Sequence, residues 1–196
     1  AMGFPNFMSW KTDREIRLAT EKVSSMITNI NTQVKRGNFL YVQLQIEPNS
    51  VNETNFTTKG IYQDTYSNIL NDSNIKIECK IQNSKYWDEH KVETTSKNVA
   101  VHFDADSSVC FSKDGSKFLK EGKLKSNINL KIAGEEKADY LILCAPRNAE
   151  KTGNKCATDP RKVGKPSYGK PSYLVLWTRF GTVKKYKWSG SDWNLQ

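Results

Sequence analysis

The clearest pattern in the chain is a run of apolar positions at Ile16, Ala19, Val23, Met26, Ile27, Ile30 and Val34. Steps of 3, 4, 3, 1, 3 and 4 residues put them on one face of an α-helix. Arg14, Arg17, Glu21, Lys22, Asn29 and Lys35 occupy the opposite face. Gly37 stands where a residue in the left-handed conformation would end the helix. The start has two readings. Thr12-Asp13-Arg14-Glu15 matches a capping box. Pro5 suits a first helical turn, and Phe7, Met8 and Trp10 would then extend the helix backwards. This is the one strong helical signal in the sequence.

After Gly37 the period changes from about 3.6 to 2. Leu40, Val42, Leu44 and Ile46 alternate within 38–47, and Ile75, Ile77, Cys79 and Ile81 alternate within 74–82. Val99, Val101 and Phe103 form a third alternating run, and Ile128, Leu130 and Ile132 another. Val109-Cys110-Phe111 leads into Lys113-Asp114-Gly115, and Asp-Gly is a tight-turn signal. Tyr140–Cys144 is continuously apolar, as in a strand covered on both faces. Tyr173–Trp177 and Thr182–Trp188 flank Arg179-Phe180-Gly181 and read as a hairpin. Residues 48–73 and 146–171 read as long loops. The second contains the near-repeat Gly164-Lys165-Pro166-Ser167-Tyr168 and Gly169-Lys170-Pro171-Ser172-Tyr173, too short for a solenoid. The expected fold class is α+β, a long N-terminal amphipathic helix packed on an antiparallel β-sandwich.

At 196 residues the chain is long enough for one domain with its own core. Ala1-Met2-Gly3 reads as a cloning scar, 4–37 as the helix and 38–196 as the β-sandwich head. With 37% hydrophobic and 26% charged residues, the composition excludes a disordered chain. No apolar stretch reaches the length of a membrane span, and no signal peptide pattern is present.

Charge and cysteine content sharpen the picture. The net charge is +9, and all of the excess sits in residues 147–187, with eleven basic residues against Glu150 and Asp159. Such a segment attracts polyanions, or it is a solvated surface. The four cysteines are Cys79, Cys110, Cys144 and Cys156. None has zinc-ligand spacing, and neither His90 nor His102 stands near one in sequence. An even count in a loop-rich chain suggests two disulfides and an oxidising compartment. Three connectivities are possible; Cys144–Cys156 with Cys79–Cys110 is the favoured one.

Catalytic and cofactor motifs are missing. There is no nucleophile elbow, phosphate-binding loop, zinc-protease helix or dinucleotide fingerprint. Asp104, Asp106 and Asp114 lack the glycine and terminal glutamate of a calcium-binding EF-hand loop and read as solvated turn residues. His90, beside Trp87, Asp88 and Glu89, has no nucleophile in sequence view, and His102 sits within a strand between Val101 and Phe103. Asn52, Asn55 and Asn71 begin glycosylation-type triplets that this Asn-, Ser- and Thr-rich composition produces by chance. No enzyme, cofactor, metal or small-molecule substrate is expected, although a periplasmic hydrolase remains as a contrasting reading.

Four stretches, in order, resemble the GspH/FimT class of type IV minor pilins and type II secretion pseudopilins. Pro5-Asn6-Phe7-Met8-Ser9-Trp10 is similar to the proline region of that family's long helix. Gln33-Val34-Lys35-Arg36-Gly37 is similar to its exit into the first strand, with Gln33 where the family often has Ala. Val109–Gly115 and Tyr173–Lys187 are similar to its internal hairpin and its terminal strand pair.

The resemblance implies a filament subunit, a minor pilin or pseudopilin that primes or tips a type IV pilus-like fibre. It implies an apolar transmembrane half-helix ahead of Pro5, anchoring the protein in the inner membrane with a periplasmic head before assembly. After assembly the subunit would lie in a surface pilus or a periplasmic pseudopilus, with other pilins as partners. Ile16, Val23, Ile27, Ile30 and Val34 would lie on the protein's own sheet. Two disulfides and a long basic segment favour the pilus over type II secretion. Some FimT-like members bind DNA for natural transformation through a terminal G-R-x-R motif. The matching stretch here is Gly181-Thr182-Val183-Lys184, with Thr182 and Lys184 in place of the arginines. Arg179, Lys184, Lys185 and Lys187, interleaved with Tyr186 and Trp188, are the candidate DNA-binding residues. In a strand, Lys184, Tyr186 and Trp188 share one face and Lys185 and Lys187 the other, which splits the charge.

Overall fold

The computed structural model describes residues 4–48, 53–71, 92–97, 99–102, 107–113, 130–132, 135–137, 139–145, 156, 172–178 and 180–196. Helix α1 (Phe4–Lys35) is one run of 32 residues. Its start is the earlier of the two expected: Pro5 lies in the first turn, where a missing N–H removes no intrahelical bond. Thr12 and Asp13 are therefore helix interior, and the capping-box reading gives way to the longer helix. At the other end Gly37, with φ 80°, closes a Schellman motif. Asn38 N–H donates to Gln33 O at 3.1 Å and Gly37 N–H to Val34 O at 3.0 Å, satisfying carbonyls the helix end would otherwise leave open.

The rest of the described chain is β-structure with one short helix. In order these elements are β1 (Tyr41–Pro48), β2 (Glu53–Ile61), α2 (Gln63–Leu70), β3 (Val92–Lys97), β4 (Ala100–Val101), β5 (Ser107–Ser112), β6 (Leu130–Ile132), β7 (Glu135–Lys137), β8 (Tyr140–Cys144), β9 (Ser172–Trp177), β10 (Val183–Trp188) and β11 (Trp193–Leu195). One sheet has the order β3-β2-β1-β5, a second β11-β10-β9-β8-β4, and β6 and β7 form a separate ribbon. Every pairing is antiparallel.

A single apolar core joins α1 to both larger sheets. Ile16, Ala19, Val23, Ile27, Ile30 and Val34 meet Val42, Leu44, Ile46 and Phe56 from the first sheet, and Leu141, Leu143, Tyr173, Val175 and Trp177 from the second. The five helix positions expected to face the sheet are all buried, each at 0% or 1% exposure. The architecture is thus α+β, a long N-terminal helix laid on antiparallel sheets. The opposite faces are covered separately. On the first sheet, Tyr66 and Ile69 of α2 cover Tyr41, Ile61 and Cys110. On the second, Tyr140, Ile142, Leu174 and Tyr186 meet Leu130, Cys156 and Trp193. Tyr140–Cys144 is buried at all five positions, as its unbroken apolar run implies.

The stretch expected as a loop over 48–73 holds β2 and α2 instead. β2 is polar in sequence, yet Thr54, Thr57, Thr58 and Lys59 are all buried, and over Glu53–Thr58 it lies between two partner strands. The backbone ladder supplies its hydrogen bonds, and Thr54 Oγ1 donates to Val99 O at 2.9 Å. The strand expected over 74–82 and most of the basic segment lie outside the described residues.

Candidate functional site

The residues singled out on β10 meet the N-terminal half of α1. Register decides which way they face. Lys187 pairs with Tyr173 and Lys185 with Val175. Tyr173 and Val175 belong to the core beneath the helix, so Lys185 and Lys187 face α1. Tyr186 and Trp188 point to the opposite face and are buried there, while Lys184 is exposed. The split read from strand periodicity is present.

Two ion pairs result. Lys187 Nζ lies 2.9 Å from Asp13 Oδ1, and Lys185 Nζ lies 2.5 Å from Glu21 Oε2. The Tyr173 hydroxyl donates to the same Asp13 carboxylate, at 3.1 and 3.2 Å from its two oxygens. The Lys187 ammonium also sits 5.4 Å from the centre of the Tyr173 ring. Hydrogen bonding to Asp13 raises the Lys187 ammonium above its usual range, and burial opposes this only in part. Burial pushes the Tyr173 phenol up, with the hydrogen bond to Lys187 working against it and the Asp13 charge adding to it. The lysines expected to meet DNA therefore serve partly to fasten the strand to the helix. Lys184 is set apart from them on the other face, and Arg179 lies outside the described residues.

The turn between β9 and β10 is fitted to the same helix. Gly181 has φ 76°, which strains any residue with a Cβ. A Cβ there would also overlap the side chain of Asn31, itself buried against the turn. Gly181 thus has a packing reason to be glycine. Phe180 beside it is 53% exposed.

Of the cysteines, Cys144 and Cys156 are bonded to each other, as favoured. The bond, together with a 2.8 Å hydrogen bond from Cys156 N–H to Val101 O, fixes residue 156 at the edge strand β4. Cys110 is disulfide-bonded too, and Cys79 lies outside the described residues. His102 is buried; its Nδ1 accepts the Ile142 N–H at 3.1 Å, and its ring stacks on Tyr140 at 5.1 Å between centres. His90, Asp104, Asp106 and Asp114 lie outside the described residues. Among the described residues, no group of three or more His, Cys, Asp or Glu is placed to hold a metal ion. No described helix is long and apolar enough to cross a membrane.

Sequence reasoning missed Asp13, Glu21 and Tyr173 as partners of the β10 lysines. Strand parity identified which lysines would share a face, but nothing local to them named the carboxylates opposite. Comparison with protein-family models, with curated proteins and with solved structures returns no match to this chain.

Proposed function

We propose that this chain is the head of a filament subunit, a minor pilin or pseudopilin of the GspH/FimT kind. One observation carries the reading. Helix α1 runs about three turns ahead of Ile16, the first fully buried residue among its described side chains, and from there lays its apolar stripe on antiparallel sheets. Ser9, Trp10 and Lys11 in that leading stretch are exposed. Short helical stretches without burial are marginal in water, so the leading turns suit a helix that gains its contacts from neighbouring subunits. In this reading the protein is non-catalytic and begins in the inner membrane with a periplasmic head, which agrees with its disulfide.

The DNA-uptake form of the reading has less behind it. Lys185 and Lys187 are engaged by Glu21 and Asp13, which leaves Lys184, Arg179 and the basic segment to meet a duplex. The deciding experiment deletes the gene and scores surface filaments, type II secretion and transformation side by side, with complementation. Loss of filaments supports the pilus subunit, and loss of secretion with filaments intact supports the pseudopilus. Loss of transformation alone supports DNA uptake. No change in any of the three overturns the reading.

A further inference from the structure

The face of α1 turned away from both sheets carries charge that no described residue neutralises by an ion pair. Between residues 10 and 22 it presents Lys11, Arg14, Arg17 and Lys22, all exposed. None of these four forms an ion pair among the described residues. The acids of the same stretch are differently placed. Asp13 is held by Tyr173 and Lys187, Glu21 by Lys185, and Glu15 is half-buried at the border of the face. The β10 lysines thus pair with two of the three carboxylates of this stretch, and four exposed cations stand against Glu15 alone.

The same face is also apolar in two places. Trp10 is 57% exposed and Leu18 50%. Trp10, Arg14 and Leu18 follow one another at i, i+4 and i+8, so they form a single line along the helix. The Arg14 guanidinium lies 5.6 Å from the centre of the Trp10 ring. An interfacial helix sets tryptophan and leucine at the headgroup–acyl boundary and its lysines and arginines among the headgroups, and here two exposed apolar side chains stand among four exposed cations. Phosphates of a nucleic acid would match the cations equally well, but they offer Leu18 nothing apolar to bury against.

We infer that the outward face of α1 over residues 10–22 docks on an anionic lipid surface. Trp10 and Leu18 enter the boundary between headgroups and acyl chains, and Lys11, Arg14, Arg17 and Lys22 meet lipid phosphates. The inference stands independently of the filament reading, since it uses only exposure, charge and spacing on one helix.

The test is sedimentation of the whole chain with vesicles of equal parts phosphatidylglycerol and phosphatidylcholine, beside pure phosphatidylcholine, over a salt series. Binding to the anionic vesicles alone, weakening with salt, is expected. Each basic residue at such a surface is worth roughly fivefold in partitioning, so Arg14→Gln with Arg17→Gln lowers it by about 25-fold. Trp10→Ala lowers it as well, with unchanged circular dichroism. Lys35→Gln with Arg36→Gln removes the same charge at the far end of the helix and leaves partitioning unchanged. Three results overturn the inference. One is no binding to anionic vesicles, and another is equal loss in the two double variants, which marks a net-charge effect. The third is binding of a labelled single-stranded oligonucleotide through Arg14 and Arg17 without vesicle binding, which reassigns the face to nucleic acid.

Discussion

The Lys187 ammonium lies 2.9 Å from the Asp13 carboxylate, so β10 is fastened to α1 one turn before the helix reaches its apolar core. Tyr173 donates to the same carboxylate. Asp13→Ala removes the acceptor for both groups. Lys187 is partly solvated, which limits the loss to about 1 kcal/mol. For a domain of this size that is a fall of roughly 2–4 °C in melting temperature by calorimetry. An unchanged melting temperature would mean that apolar packing alone holds this part of the helix.

The same cluster sets an alkaline limit. Lys187 is raised in the folded protein, so its contribution is present below its unfolded value and is lost as pH rises through the folded one. Tyr173 is also raised, and the folded state prefers its neutral phenol, so its contribution disappears in the same direction. Stability should therefore decline as pH rises above about 10, where both groups lose their protons in the unfolded chain. Tyr173→Phe combined with Lys187→Met should flatten the decline. Urea midpoints across pH 8–11 test it, and identical slopes in wild type and variant would refute the assignment.

Charge reversal on β10 should separate structure from binding. Lys185→Glu and Lys187→Glu place like charges against Glu21 and Asp13, and each should lower stability by about 1 kcal/mol. Lys184→Glu, on the exposed side of the strand, should leave stability within about 0.5 kcal/mol of wild type. Lys184→Glu is thus the clean probe of DNA binding, read as affinity for a labelled duplex over a salt series. A triple reversal would confound contact with folding.

Gly181→Ala should destabilise by about 2 kcal/mol or more, through the positive φ and the overlap with Asn31. Asn31→Ala should recover only part of this, because Asn31 Cβ itself lies 2.5 Å from the added atom. Thermal melts of the two single variants and the double variant measure the coupling.

Replacing Cys144 and Cys156 together by serine opens a loop with a sequence separation of 12. The chain-entropy account puts the loss near 3 kcal/mol. Denaturant midpoints of wild type and the double variant should differ by that amount under oxidising conditions. A gap that persists unchanged when both are reduced would point to lost packing around Cys156 instead.

Much of the fold was legible because its signals are local. The buried stripe of α1 from Ile16 to Val34, the Gly37 stop and the unbroken apolar run of Tyr140–Cys144 are each written within one element, where period reports the buried face. The facing of Lys185 and Lys187 was legible for the same reason, since strand side chains alternate. The sequence thus determined which faces are apolar, where the long helix stops and which lysines keep company.

Only the tertiary structure decided what those faces meet. β2 is polar along most of its length and becomes a central strand because β1 and β3 complete its ladder on both sides. α2 is short and weakly apolar, and it is placed over Tyr41 and Ile61 to close the outer face of its sheet. Thr12 and Asp13 carry the signature of a helix start yet lie inside a helix, where Asp13 binds Tyr173 and Lys187. The physical reason is common to all three. Long-range pairing sets the partners of polar groups, and a hydrogen bond or ion pair between distant residues leaves no periodic trace in either segment.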